Sequence, residues 1–245
     1  MVKLGIVQTT SYKTNRHGIT NVSRILQSLG KKEVDVICLP EQWLQNNRIL
    51  DFDDEFSDFK KIAKEFSMTI IPGAFYKKKS KKWFIASPVI GPTGDIIGEQ
   101  EKIHPFGYEK KLIRSGTKTK IFNTKCKFGL VICYDMVFAE VAKSLTLKGA
   151  DVLFSPSRIV KKGIAPWHQY TMVRALENRI PLLAANVKNQ KFGGKSVIID
   201  LFEKDGIIIP KKIELTNQSF KLLEFNLKKY KKARTERFRD RRNFF

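Results

Sequence analysis

The strongest constraint on this chain is its alternation between two hydrophobic periods. Short apolar, β-branched runs suited to strands alternate with longer segments whose apolar residues recur at helical spacing. Residues 2–8 read as a strand. Val22, Ile25, Leu26 and Leu29 then mark a helix that Gly30 stops. A strand at 34–39 ends at Pro40, and Phe56, Phe59, Ile62, Ala63 and Phe66 mark a second helix before a strand at 69–75. Segments 83–90 and 96–100 flank Gly91-Pro-Thr-Gly-Asp95, a strong turn signal, and read as a hairpin. There follow a strand at 128–133, a helix at 138–148 stopping at Gly149, a strand at 152–155, and a helix at 166–178 opened by Pro166. Strands at 181–187, 196–201, 206–209 and 220–227 come last, before a basic tail. No internal repeat or low-complexity linker divides the chain. The pattern predicts one α/β domain over residues 1–227, with helices covering the sheets and a tail at 228–245. The late run of strands predicts a second sheet or an antiparallel portion.

At 245 residues and 42% hydrophobic, the chain is long and apolar enough for a sizeable core. That composition excludes a disordered or collagen-like protein. No apolar run approaches the roughly 20 residues of a spanning helix. The first residues read as a strand and not as a leader, so a cytoplasmic protein away from membranes is expected. Cys38, Cys126 and Cys133 are too few and scattered for a disulfide framework. His17, His104 and His168 share no metal-ligand spacing with them or with each other, so no metal site is expected.

The net charge of +22 is the unusual quantity. Residues 77–82 form one basic run, and residues 228–242 hold nine basic side chains against Glu236 and Asp240. Such a surface attracts nucleic acid or another polyanion. The plainer reading is a solvated, lysine-rich exterior. Only twelve of the 46 basic residues are Arg, the side chain suited to bidentate contacts, and no motif interleaves them with aromatics.

Sites in open α/β sheets gather at the carboxyl ends of strands. Glu41 follows Ile37-Cys-Leu-Pro40, Lys102 lies two residues beyond 96–100, and Cys133 closes Phe128-Gly-Leu-Val-Ile-Cys133. A thiol, a carboxylate and an ammonium can form a nucleophile, its base and a cationic stabiliser. Singly, each has an ordinary alternative: a core cysteine, a solvated glutamate, one lysine among many.

Their surroundings are more specific. Gly129-Leu-Val-Ile-Cys-Tyr-Asp-Met-Val-Phe-Ala-Glu140 resembles the nucleophile motif of the carbon–nitrogen hydrolase, or nitrilase-like, superfamily. Leu39-Pro-Glu-Gln-Trp43 resembles its glutamate motif and Glu101-Lys-Ile-His-Pro-Phe106 its lysine motif. Lys148-Gly-Ala-Asp-Val-Leu-Phe-Ser-Pro-Ser157, Arg174-Ala-Leu-Glu-Asn178 and Gly193-Gly-Lys-Ser196 are similar to later segments of that family, in the family's order. The resemblance implies a four-layer α-β-β-α sandwich, commonly paired as a homodimer. It implies a Glu41–Lys102–Cys133 triad, with Glu109, seven residues after the lysine, as a second glutamate. It further implies a thioester intermediate, an oxyanion donor in the backbone of Tyr134, and no metal or organic cofactor.

Cys133-Tyr-Asp135 is similar to the small-amidase branch, including ω-amidases, and unlike the nitrile-hydrolase and carbamoylase patterns. Hydrolysis of a small linear amide is therefore expected, with nitrile or N-carbamoyl hydrolysis, or a non-catalytic polyanion-binding role, as alternatives. Val137 stands where carboxylate-handling members often carry Arg, Ala139 where Pro is usual and Pro105 where Leu is usual. Arg158 is a candidate for a substrate-carboxylate contact at the pocket mouth. His104 is assigned a structural role and Cys38 to the core. Cys126, between Lys125 and Lys127, is expected to be an exposed loop thiol, and His168 to open a helix without a partner. Phe244 and Phe245 would anchor the tail on a second subunit.

Overall fold

The computed structural model describes residues 1–242. In chain order the elements are β1 (Val2–Val7), α1 (Asn15–Gly30), β2 (Val36–Cys38), β3 (Arg48–Ile49), α2 (Phe52–Glu55) and α3 (Ser57–Glu65). Next come β4 (Thr69–Ile71), β5 (Phe75–Lys79), β6 (Lys82–Ile90), β7 (Ile96–Glu101), β8 (Ile121–Asn123), β9 (Lys127–Leu130), α4 (Ala139–Leu147) and β10 (Val152–Pro156). The chain continues through α5 (Ile164–Asn178), β11 (Leu182–Ala185), β12 (Val197–Lys204), β13 (Ile207–Glu214), β14 (Phe220–Phe225) and α6 (Lys231–Arg239).

Two sheets result. The first runs β14-β1-β2-β4-β6-β5-β3, with β7 also paired to β6, and the second runs β13-β12-β11-β10-β9-β8. β1, β2 and β4 are parallel, as are β9, β10 and β11. The late strands divide between the sheets. β12 and β13 extend the second sheet antiparallel, while β14 returns to pair antiparallel with β1 in the first.

Strand alternation sets the layers. Leu4, Ile6, Val36, Cys38 and Ile71 of the first sheet share one core with Phe128, Leu130, Phe154, Leu182 and Val197 of the second. Their neighbours Val7, Ile37, Leu39 and Ile70 face the opposite way and pack on Val22, Leu26, Phe59 and Ile62 of α1 and α3. Val141, Leu145 and Ala175 of α4 and α5 cover the far side of the second sheet. The four-layer α-β-β-α arrangement follows, in a single domain with no helix long and apolar enough to cross a membrane among the described residues.

Two local expectations change. Cys126 is buried, because the chain alternates there: Lys125 and Lys127 point out and Cys126 points into the inter-sheet core. Burial pushes its thiol up to about 12. His168 lies one turn inside α5 and is buried, with Nε2 2.8 Å from the Lys195 carbonyl. In the tail, residues 231–239 form a helix held to this same chain by Arg234, which is buried and donates to the Ala150 carbonyl. Phe244 and Phe245 lie outside the described residues.

Candidate active site

Glu41 sits just past β2. Its backbone N–H donates to the Ser157 carbonyl beyond β10 at 3.2 Å, tying the ends of the two sheets together. Gly73 packs under this loop at φ +113°, where a Cβ would stand 2.0 Å from the Pro40 carbonyl oxygen, so only glycine fits. Lys102 follows β7 directly and prolongs the β6–β7 ladder through its N–H to the Ile85 carbonyl at 2.8 Å. Glu109 lies in a 3-10 turn at Gly107–Lys111 and is buried.

These three side chains meet. Lys102 Nζ lies 2.8 Å from Glu41 Oε1 and 2.9 Å from Glu109 Oε2, and the Lys102 side chain has no exposed surface. Glu109 Oε2 also accepts from the Phe106 N–H at 2.7 Å, so that carboxylate is fixed on two sides. Burial opposes the Lys102 charge, but the negative groups around it, Glu41 first, raise its pKa, and it remains an ammonium. Burial and the nearby Glu41 carboxylate raise the Glu109 pKa.

Cys133 does not close a strand. The β9 strand ends at Leu130, Val131 still donates to the Phe154 carbonyl at 2.9 Å, and the chain then turns sharply with Cys133 at φ +48°. A non-glycine residue there costs about 1–3 kcal/mol, which the surroundings must offset. Two buried groups do so. Asp135 accepts from the His104 N–H at 2.7 Å and the Ile103 N–H at 3.2 Å, pinning the turn to the segment after Lys102. Arg174 donates from Nε to the Met136 carbonyl at 3.0 Å and from Nη2 to the Val137 carbonyl at 2.7 Å. Neither role is legible from spacing, because each partner is more than thirty residues away.

Cys133, Glu41, Lys102 and Glu109 line one pocket of about 350 Å³. Tyr134 and Arg158 line it too, together with Trp167, Tyr170, Lys191 and Phe192, which the sequence reading had not singled out. The Cys133 thiol is raised, chiefly by burial and next by the Glu41 carboxylate, so it rests protonated. The pocket thus offers a neutral thiol, a carboxylate beside it and a fixed ammonium. Among the described residues no group of three or more His, Cys, Asp or Glu is placed to hold a metal ion.

His104 is structural in a way that pH can test. Its Nδ1 lies 3.0 Å from Asp135 Oδ1 and Nε2 lies 3.3 Å from Glu140 Oε1; its ring stacks on Phe138 with centroids 3.7 Å apart. The hydrogen bond to Asp135 is the main reason its pKa is raised. The native state therefore binds this proton more tightly than the unfolded chain does. The resulting stabilisation is fully present below the ordinary imidazole value of 6.5 and is lost as pH rises through the raised one. The melting-temperature gap between the wild type and His104→Gln should be wide in mildly acidic buffer and narrow at alkaline pH. A gap independent of pH would assign the contribution of His104 to its stacking instead.

A family model described as carbon-nitrogen hydrolase matches residues 3–217. An omega-amidase of Mus musculus is 26% identical over 203 residues, covering 75% of this chain and 74% of its own. A 2-oxoglutaramate amidase of Bacillus subtilis is 28% identical over 184 residues, covering 69% of this chain and 71% of its own. The crystal structure of a carbon-nitrogen hydrolase from Helicobacter pylori superposes with a TM-score of 0.83 at 20% identity, over 98% of this chain and 95% of that one.

Proposed function

The chain belongs to the carbon–nitrogen hydrolase family, and on that footing we propose that it hydrolyses the C–N bond of a small linear amide through a thioester on Cys133. The observation that carries the reading is the buried Glu41–Lys102–Glu109 ion cluster, which shares the pocket with a cysteine in a left-handed backbone conformation. The omega-amidase relatives support an amide over a nitrile or an N-carbamoyl substrate.

This arrangement supports the following steps. The thiol is neutral at rest, so attack on the amide carbonyl carbon needs a base, and Glu41 takes the Cys133 proton as the S–C bond forms. The carbonyl π electrons move to oxygen. A lysine ammonium has three N–H donors; Glu41 and Glu109 occupy two, leaving one for the developing oxyanion beside the Tyr134 backbone N–H. As the carbonyl re-forms, the C–N bond breaks and the nitrogen leaves with the proton from Glu41. Water then attacks the thioester and gives a proton to Glu41. The acid departs, and the thiolate recovers its proton from Glu41.

The test is selective alkylation. Cys38 and Cys126 are buried, and burial raises both thiols; Cys133 alone among the three lines the pocket. Limited iodoacetamide treatment should modify Cys133 first, and ammonia release should fall in step with that label. Because the thiol rests protonated, labelling should quicken as pH rises above neutrality. Loss of activity tracking Cys38 or Cys126 would refute the assignment.

A further inference from the structure

Two cations stand at the pocket with no carboxylate to neutralise them. The Arg158 guanidinium lies 5.0 Å from the Phe192 ring centroid and the Lys191 ammonium lies 5.6 Å from it, so one aromatic ring carries both. Arg158 Nη2 also donates to the Tyr108 hydroxyl at 3.3 Å. Among the described residues neither cation forms a salt bridge.

The backbone holds the pair in place. Val160 and Phe192 form an antiparallel bridge. It is flanked by the Lys161 N–H to the Lys191 carbonyl at 3.2 Å and the Gly193 N–H to the Ile159 carbonyl at 2.9 Å. Asn189 Oδ1 caps the turn, accepting from the N–H groups of Lys191 and Phe192 at 2.9 and 2.8 Å. Asn186 Oδ1 accepts from the Ile159 N–H at 2.8 Å and fixes the other strand of the bridge. Two loops from different strand ends are thus stapled together with their cations on one ring, and little ordering remains to be done when an anion arrives.

Much of the remaining pocket lining is apolar or aromatic: Tyr134, Met136, Val137, Ile159, Trp167 and Tyr170. A short, uniformly polar chain would leave most of that surface without contact. We infer that the substrate is an amide with an apolar or aromatic body and an anionic group at its far end, which Arg158 and Lys191 receive while the body packs on the wall. This deepens the amidase reading and rests on it.

Four probes separate the parts: butyramide, glutaramate, 3-phenylpropionamide and 3-(4-carboxyphenyl)propionamide, each followed by ammonia release. The carboxylated aryl amide should give the highest kcat/KM. Arg158→Glu should cut the preference for it over 3-phenylpropionamide by about tenfold to a hundredfold, the usual worth of a hydrogen bond to a charged group. Most of that change should appear in KM, since the contact is made to a part of the substrate other than the amide that reacts. Lys191→Gln should cut the preference about threefold, as befits an exposed partner. Lys162→Gln, exposed and outside the pocket, controls for overall charge and should leave the ratio alone. An unchanged ratio in Arg158→Glu, with the variant folded by thermal melting, would overturn the anion assignment while leaving amide hydrolysis intact. Glutaramate outrunning the carboxylated aryl amide would overturn the apolar body. Ammonia from none of the four would remove the amidase reading and this inference together.

Discussion

Glu41→Gln should lower ammonia release by about 10²–10⁴-fold, the range for losing a positioned general base, with no recovery at saturating substrate. Glutamine still offers an oxygen to the Lys102 ammonium, which reaches Glu41 at 2.8 Å, so the fold and the lysine position should survive. What it cannot do is take the Cys133 proton, and the raised pKa of that thiol leaves little thiolate to act unaided. In the proposed mechanism the same group serves both half-reactions, so thioester formation and thioester hydrolysis should both slow. Rapid-quench ammonia assays together with intact-mass detection of the acyl adduct follow the two separately. A variant that acylates at the native rate would show that another group accepts the proton.

Lys102→Met should be as damaging for a different reason. On the proposed mechanism its loss removes a charge aimed at an oxyanion present mainly in the transition state, so kcat should fall by roughly 10²–10³-fold or more while KM moves little. It should also destabilise the protein. Glu41 and Glu109 would be left facing each other, buried and uncompensated, and breaking such a cluster costs about 3–5 kcal/mol. The cost has a sign in pH. Glu109 is already raised by burial and by Glu41, and without the ammonium a proton is held there more firmly. A carboxyl whose native pKa lies above its unfolded value favours the fold at low pH and loses that benefit as pH rises through the native value. The melting-temperature deficit of Lys102→Met should therefore widen from pH 5 to pH 8. A constant deficit would mean that the two carboxylates relax apart; native turnover would remove the lysine from the chemistry.

The α/β alternation was legible because hydrophobic period and strand parity are local properties, whereas the four-layer stacking was expected only from the family resemblance. Val36, Ile37, Cys38 and Leu39 alternate between the two cores as a buried strand should. What failed locally was the end of β9: the apolar run Phe128–Cys133 reads as continuous strand, yet the chain bends at Cys133 because Asp135 and Arg174 hold the turn from distant segments. Cys126 was misplaced by its lysine neighbours, whose outward direction implies an inward one for the residue between them. Glu41, Lys102, Glu109 and Cys133 were legible as motifs. Lys191 and Phe192 were not, because their position depends on a bridge between two loops some thirty residues apart.

Glu41 and Lys102 project from the ends of the first sheet, and Cys133 from the second. The proposed nucleophile and proton acceptor therefore ride on separate plates, and a small slide of one sheet over the other would misalign them without breaking a strand. The tie between the Glu41 N–H and the Ser157 carbonyl resists such sliding at the mouth, and the side chains of Leu4, Ile6, Phe128 and Phe154 resist it within the seam. On the proposed mechanism, substitutions deep between the sheets, at side chains that touch neither thiol nor carboxylate, should therefore lower turnover. Loosening these side chains should reach the chemistry before it reaches the fold.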